Sequence, residues 1–278
     1  MIKSEQWICF NCGVQRQSAE HPIAPCLICA DERESISHKT QRWTNLAEMD
    51  GMFENVFTPL GGGVTGIHTL PLFGIGQEVF LLETGYGCIL WDCLGFIDTQ
   101  TLRNIALRGD LAAIVISHPH FFGSMVEWSC RNGCVPIYVH KENQPWIPRW
   151  DRVIELWDGE ELQLNPSVTI IRTGGHFPGS CILHWADGAD GKGALFTSDT
   201  ILPVEDRRWV SFMYSYPNLI PLSKRAVQKI VSIVARLKFD RIYGGPMYGG
   251  GGDRPIISSA AKEIVLRSAK RYIQHLES

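Results

Sequence analysis

The sequence predicts an α/β fold preceded by a small cysteine-rich module. Three observations carry that expectation. Cys9-x2-Cys12 and Cys26-x2-Cys29 stand close together near the start of the chain. Apolar segments of strand length gather in two halves, each followed by helical segments. Two of those strands run into metal-binding side chains, His118 and His120 after one and Asp199 after the other.

The module comes first. Its two Cys-x2-Cys pairs are separated by thirteen residues, a spacing that matches a four-thiolate zinc ribbon or knuckle pair. Gly13 permits the tight backbone after the first pair. Two disulfides or a redox pair are the rival reading, disfavoured by the lack of a secretory segment. Rubredoxin-like iron uses similar spacing and stays open. Residues 1–36 form this ribbon, too short to fold on an apolar core of its own, so a bound ion would supply most of its stability. Residues 37–63 read as a linker with a short helix at Leu46-Ala47-Glu48-Met49, and Gly61-Gly62-Gly63 closes it.

The main domain spans 64–278. Three apolar segments between 65 and 94, separated by glycine turns, read as antiparallel strands. Residues 98–107 form a capped helix, and 111–116 a buried strand. A helix at 124–131 precedes strands at 135–139, 153–156, 168–172, 181–185 and 194–200. The segment 221–237 is a long helix with Pro221 in its first turn and Ala226, Ile230, Ile233, Val234 and Leu237 on one stripe. A strand at 239–243 and an amphipathic helix at 259–276 finish the chain.

His118 and His120 sit at or just past the end of a strand, where α/β proteins place ligands. Two residues apart on extended backbone, both imidazoles can face one side. Gly174-Gly175-His176-Phe177-Pro178-Gly179-Ser180 offers a third histidine in a turn, and Leu195-Phe196-Thr197-Ser198-Asp199-Thr200 ends a strand in a carboxylate. In this order the four elements resemble the metallo-β-lactamase superfamily of hydrolases, over roughly residues 64–278. The resemblance implies an αββα sandwich with its metal at one sheet edge. It also implies that Asp92, after Trp91, orients a ligand histidine.

The chain departs from the family pattern in a consistent way. Where a second metal's Asp and His would stand are Phe122 and Gly123, and Met247 or Tyr248 takes the place of a late histidine. None of Phe, Gly and Met is a hard donor. The reading is therefore one ion, zinc or iron, on His118, His120 and His176, with Asp199 as fourth or weak ligand.

A zinc ion held by three histidines lowers the pKa of its water to about 7, so hydrolysis at neutral pH needs no second metal. The expected activity is hydrolysis of a small organic ester, thioester or lactone. The aromatic-rich stretch 206–218 is expected to wall the cleft. There Arg207 or Arg208 could pair with a substrate carboxylate, and Tyr214 or Tyr216 could donate to an oxyanion, with Asp199 also catalytic. The glycine-rich loop 247–253 could close over substrate. Two other classes stay open: a mononuclear iron oxygenase using His118, His176 and Asp199, and a non-catalytic binding module.

The remaining features are read plainly. His184 is a core or surface histidine, His140 a capping or exposed one, and Glu127 a solvated helix carboxylate. Cys88, Cys93, Cys130, Cys134 and Cys181 read as buried free thiols. The 278 residues, 45% hydrophobic, suffice for one large domain with a small appendage, and a net charge of −3 gives no case for nucleic acid as partner. No segment reads as a signal peptide or membrane span, so the expected setting is cytoplasmic and the expected partner a small-molecule substrate.

Overall fold

The computed structural model describes residues 5–18, 21–22, 25–34, 41–245 and 256–277. At the N-terminus, β1 (Glu5–Cys9) pairs antiparallel with β2 (Gln15–Ser18) and with β3 (Trp43–Thr44). Between β1 and β2 the Gly13 N–H returns to the Cys9 carbonyl at 2.8 Å, with Gly13 left-handed at φ 77°. This small sheet has no separate interior. Its Trp7, Val14 and Ile28 belong to one buried cluster with Leu81, Leu90 and Ile114 of the next sheet.

The stretch 37–63, expected as a linker, holds α1 (Leu46–Met49) and β4 (Glu54–Gly61), and β4 is a full member of the large sheet. Its half-exposed edge position left little hydrophobic signal to read. From β4 the chain meanders through β5 (Val64–Leu70), β6 (Glu78–Thr84) and β7 (Gly87–Trp91), all antiparallel neighbours. It then turns parallel through α2 (Thr99–Ala106), β8 (Leu111–Val115), α3 (Met125–Arg131), β9 (Ile137–His140) and β10 (Ile154–Trp157). Parallel neighbours need a crossover, which α2 and α3 supply for β8 and β9. Asp98 caps α2 by accepting the Thr101 N–H at 2.7 Å. The sheet order is β10-β9-β8-β7-β6-β5-β4.

The second sheet begins with β11 (Glu161–Asn165), β12 (Val168–Arg172) and β13 (Cys181–Trp185), then passes the short turn α4 (Gly188–Gly191) to β14 (Ala194–Ser198). Two small ribbons follow, β15 (Leu202–Pro203) with β16 (Val210–Ser211) and β17 (Met213–Ser215) with β18 (Ile220–Pro221). α5 (Lys224–Val234) then crosses over to β19 (Arg241–Gly244), and β20 (Ile256–Ile257) and α6 (Ala261–Glu277) complete the chain. The order is β11-β12-β13-β14-β19-β20. α5 starts later than its sequence suggested. Pro221 belongs to β18, and Ser223 is the cap, accepting the Ala226 N–H at 3.3 Å.

Alternation along the strands builds the layers, because successive side chains leave a strand on opposite faces. Phe80, Leu82, Ile89 and Trp91 face Val168, Ile170, Leu183 and Phe196 between the sheets. Leu81 and Leu90 point the other way, into the cluster of the cysteine module and α3. Ile171, Ile182 and Leu195 leave the second sheet toward α5 and α6. The result is the αββα sandwich, with Ala261, Ile264, Val265, Ser268 and Ala269 forming the buried stripe of α6. No helix among the described residues is long and apolar enough to cross a membrane.

Candidate metal centre

β8 and β14 end at the same edge of the sandwich, and the turn between β12 and β13 comes to meet them. There His118, His120, His176 and Asp199 bring one donor atom each within 4.8 Å of all the others. His118 is extended (φ −166°, ψ 172°), as expected from the strand leading to it. His120 is not. Pro119 opens a single 3-10 turn, Pro119–Phe121, which swings the second imidazole round. The two histidines therefore offer different atoms, His118 its Nε2 and His120 its Nδ1.

The carboxylate oxygen Asp199 Oδ2 lies 3.3 Å from His118 Nε2, 3.7 Å from His120 Nδ1 and 3.6 Å from His176 Nε2. His176 Nε2 and His120 Nδ1 are 3.3 Å apart. Bonds of about 2.0–2.1 Å around a tetrahedral zinc imply edges of roughly 3.3–3.4 Å. The donor set thus fits such an ion, and the buried His118 Nε2 has no hydrogen-bond partner within the protein. Burial, then the neighbouring His118, keeps His176 well below the usual imidazole range, so its lone pair is available. Burial opposes ionisation of Asp199, but His118 and the other two rings hold its carboxyl well below the usual range.

Two of the three rings are held from behind by hydrogen bonds. His118 Nδ1 is 2.9 Å from Ser117 Oγ, which in turn donates to Asp92 Oδ2 at 2.9 Å. Asp92 also accepts the Ser117 N–H at 2.7 Å and the Ser198 hydroxyl. It therefore steadies His118 through Ser117 rather than by touching it. Asp92 and Ser198 are both left-handed, at φ 71° and 42°, a strained backbone for residues other than glycine. Burial pushes the Asp92 carboxyl up to about 6. His176 Nδ1 faces the Met213 carbonyl at 3.2 Å. These contacts fix which nitrogen of His118 and of His176 carries the proton.

Two of the three positions that would serve a second metal are closed. Phe122 is buried in the core. Gly123 is left-handed (φ +48°), and a Cβ there would lie 2.4 Å from the Leu94 carbonyl oxygen. No larger residue, histidine included, fits without moving backbone. Gly123→Ala should therefore cost about 1–3 kcal/mol or more, read as a lowered urea midpoint with unchanged slope. Met247, Tyr248 and the loop 247–253 lie outside the described residues.

A small cleft of about 60 Å³ opens on His120, His176 and Asp199, walled by Ile75, Phe121, Leu202, Tyr216 and Pro217. Tyr216 is there as expected, though its hydroxyl donates to the Asp199 backbone carbonyl at 2.9 Å. Tyr214 is not brought into the cleft. Its hydroxyl goes to Glu32, and the Arg33 guanidinium covers its ring at 4.5 Å. Arg208 pairs with Asp206 on the surface. Three site residues escaped the sequence reading. Arg33 Nε donates to the His176 carbonyl at 2.6 Å, Gln77 Nε2 to the Cys12 and His120 carbonyls at 2.6 and 3.1 Å, and Glu34 Oε1 lies 3.4 Å from His120 Nε2. His140, His184 and Glu127 stay outside the site. His140 accepts the Glu142 N–H, His184 meets the Lys238 carbonyl, and Glu127 pairs with Arg149.

The second donor cluster is Cys9, Cys12, Cys26 and Cys29, all buried. Cys9 and Cys29 sulfurs are 3.6 Å apart, as are those of Cys12 and Cys26. Tetrahedral zinc–thiolate bonds of about 2.3 Å imply edges near 3.8 Å, so this set also fits an ion. Hydrogen bonds, led by that with Cys12, pull Cys9 far below its ordinary value, and that with Cys26 leads in holding Cys12 well above it. Cys88, Cys93 and Cys181 are buried thiols as expected, but Cys130 and Cys134 are exposed. They flank the C-terminal end of α3, on its solvent side.

Known proteins place this architecture. The model of the Metallo-beta-lactamase superfamily matches residues 74–245. The chain is 40% identical to uncharacterized protein YmaE of Bacillus subtilis (strain 168) over 274 residues, which is 98% of this chain and 97% of that one. Among solved structures, DIM-1 metallo-β-lactamase exposed to ceftazidime aligns with a TM-score of 0.56 at 14% identity, covering 79% of this chain and 98% of its own. FIM-1 from Pseudomonas aeruginosa in the mono-zinc form aligns at 0.53 with 18% identity, over 79% of this chain and 96% of its own. At such identities the structural likeness speaks for the fold alone. With the family model spanning most of the sandwich, the chain belongs to the metallo-β-lactamase superfamily.

Proposed function

We propose that the protein is a mononuclear metal-dependent hydrolase, with zinc on His118, His120 and His176 and Asp199 as a weak fourth ligand that yields to water, acting on a small organic ester, thioester or lactone. The convergence of three histidine nitrogens on one point that opens to a cleft on the Asp199 side is the observation that carries this reading. When bound, the ion would polarise a carbonyl oxygen and lower the pKa of a water. The chain's own residues do the rest. His118 lies behind the cleft and anchors, while His120, His176 and Asp199 border the cleft. Asp199, on the cleft side of the rings, is placed to accept a hydrogen bond from the attacking water and orient it.

The walls support an uncharged substrate. They are largely apolar, they include the carboxylates of Glu34 and Asp199, and no Lys or Arg lines the cleft among the described residues. Beyond the ion itself, a phosphodiester or a carboxylate-bearing lactam would find no cationic side chain among the described lining residues. The second cluster is proposed as a structural zinc site, because its four buried sulfurs leave no open position and none of them borders the cleft. Reduced thiols suit a cytoplasmic setting.

A panel of neutral esters, thioesters and lactones tests this on zinc-loaded protein. Turnover above free zinc is expected, rising with pH through a single ionisation near about 7, with anionic substrates poor. Turnover no faster than free zinc across the panel would count against a hydrolase.

A further inference from the structure

The cysteine module reaches into the other metal site. The knuckle at Cys26 and Cys29 runs straight into residues 31–34. Ala30 N–H bonds the Cys26 carbonyl at 2.9 Å, Asp31 N–H that of Ile28 at 3.1 Å, and Glu34 N–H that of Asp31 at 3.0 Å. This chain of turns delivers two side chains to two of the three histidines. Arg33 grips the His176 carbonyl and packs its guanidinium 4.4 Å from the Phe177 ring centre. Asp31 steadies Arg33 at 2.8 Å and accepts the Trp146 indole N–H at 2.9 Å.

His120 poses a specific problem that Glu34 answers. A neutral imidazole that offers Nδ1 to an ion must carry its proton on Nε2. That nitrogen is buried and makes no well-aligned hydrogen bond. A buried N–H left without an acceptor costs about 1–3 kcal/mol. The carboxylate facing it, 3.4 Å away, is that of Glu34, itself 10% exposed. A carboxylate behind a metal-bound histidine fixes the tautomer and makes the ring a stronger ligand.

We infer that Glu34 is a positioning residue of the histidine site, supplied by the cysteine module, so that the ion at the four cysteines helps set the affinity of the site formed by His118, His120, His176 and Asp199. This rests on the metal reading of those four donors. The coupling follows from geometry. Whatever orders the knuckle orders residues 31–34, and an effect of one ion on the affinity for the other is reciprocal.

Cobalt(II) titration of the full chain tests the inference, since thiolate ligation gives a near-ultraviolet charge-transfer band and the histidine site only weaker visible bands. Competition with a chelator then gives each affinity separately. Glu34→Ala should weaken the histidine site about 10–100-fold while leaving the charge-transfer band intact. Glu34→Gln, whose side-chain oxygen can accept the same proton, should restore most of the loss. Unchanged affinity in Glu34→Ala, or a Gln variant as weak as the Ala one, would overturn the inference. So would joint loss of both sites, which marks plain unfolding of the module. Wild-type protein that binds cobalt at the cysteines and nowhere else would instead overturn the metal reading beneath it.

Discussion

His118→Ala and His176→Ala are each expected to bring turnover down to that of free metal and to leave only the cysteine site filled. Both rings are almost wholly buried, and each supplies one corner of a four-cornered donor set. A water would have to replace the lost imidazole in a pocket walled by His120 and the Phe177 ring, which stands 5.7 Å from that of His118. The loss shows without any substrate. Metal at a thousandfold excess over Kd stabilises a folded protein by about 4.1 kcal/mol, so with the cysteine site already filled, further zinc should raise the wild-type melting temperature and leave that of either variant unmoved. An equal rise in the His118 variant would mean that the ion sits elsewhere.

The other large effect is expected at the cysteines. Cys26→Ser removes one of four thiolates from a cluster whose ion contributes about 10–16 kcal/mol in comparable zinc-finger peptides. Here the damage should spread past the module. Val14 and Ile28 share a continuous core with Leu81, Leu90 and Ile114, and Arg149 ties Gln15 to Glu127 on α3. We expect loss of the cysteine-bound ion, a urea midpoint well below wild type, and exposure of the Trp7 and Trp43 indoles as a shift in fluorescence. A Ser variant with wild-type stability would show that the four sulfurs hold no structural ion.

Much of this was legible in the chain because it is local. The two Cys-x2-Cys spacings, the strand before His118, the turn around His176 and the strand before Asp199 are each short motifs, and the structure brings each set together. The unread parts depend on contacts between distant segments. Arg33 meets His176 across 143 positions, and Glu34 is one more charged residue after a knuckle until the fold sets it beside His120. The reading of Tyr214 failed for a related reason. Aromatic density marks a wall, but it does not tell which face of the wall a ring takes, and Tyr214 turned toward Glu32 and Arg33. Asp92 was expected to hold a ligand histidine, and only the coordinates reveal that Ser117 stands between them. β11 alternates in burial but lies at a sheet edge, with too little apolar character to stand out.

The central claim is one ion on three histidines and an aspartate, with no partner ion beside it. Metal content per chain, measured on protein purified without added metal and paired with anomalous diffraction, addresses it most directly. The expected result is two ions per chain, one centred among Cys9, Cys12, Cys26 and Cys29 and one among His118, His120, His176 and Asp199. Two ions within about 4 Å of each other at the sheet edge, the spacing of two-metal sites, would contradict the account, and so would a filled cysteine site with none at the histidines.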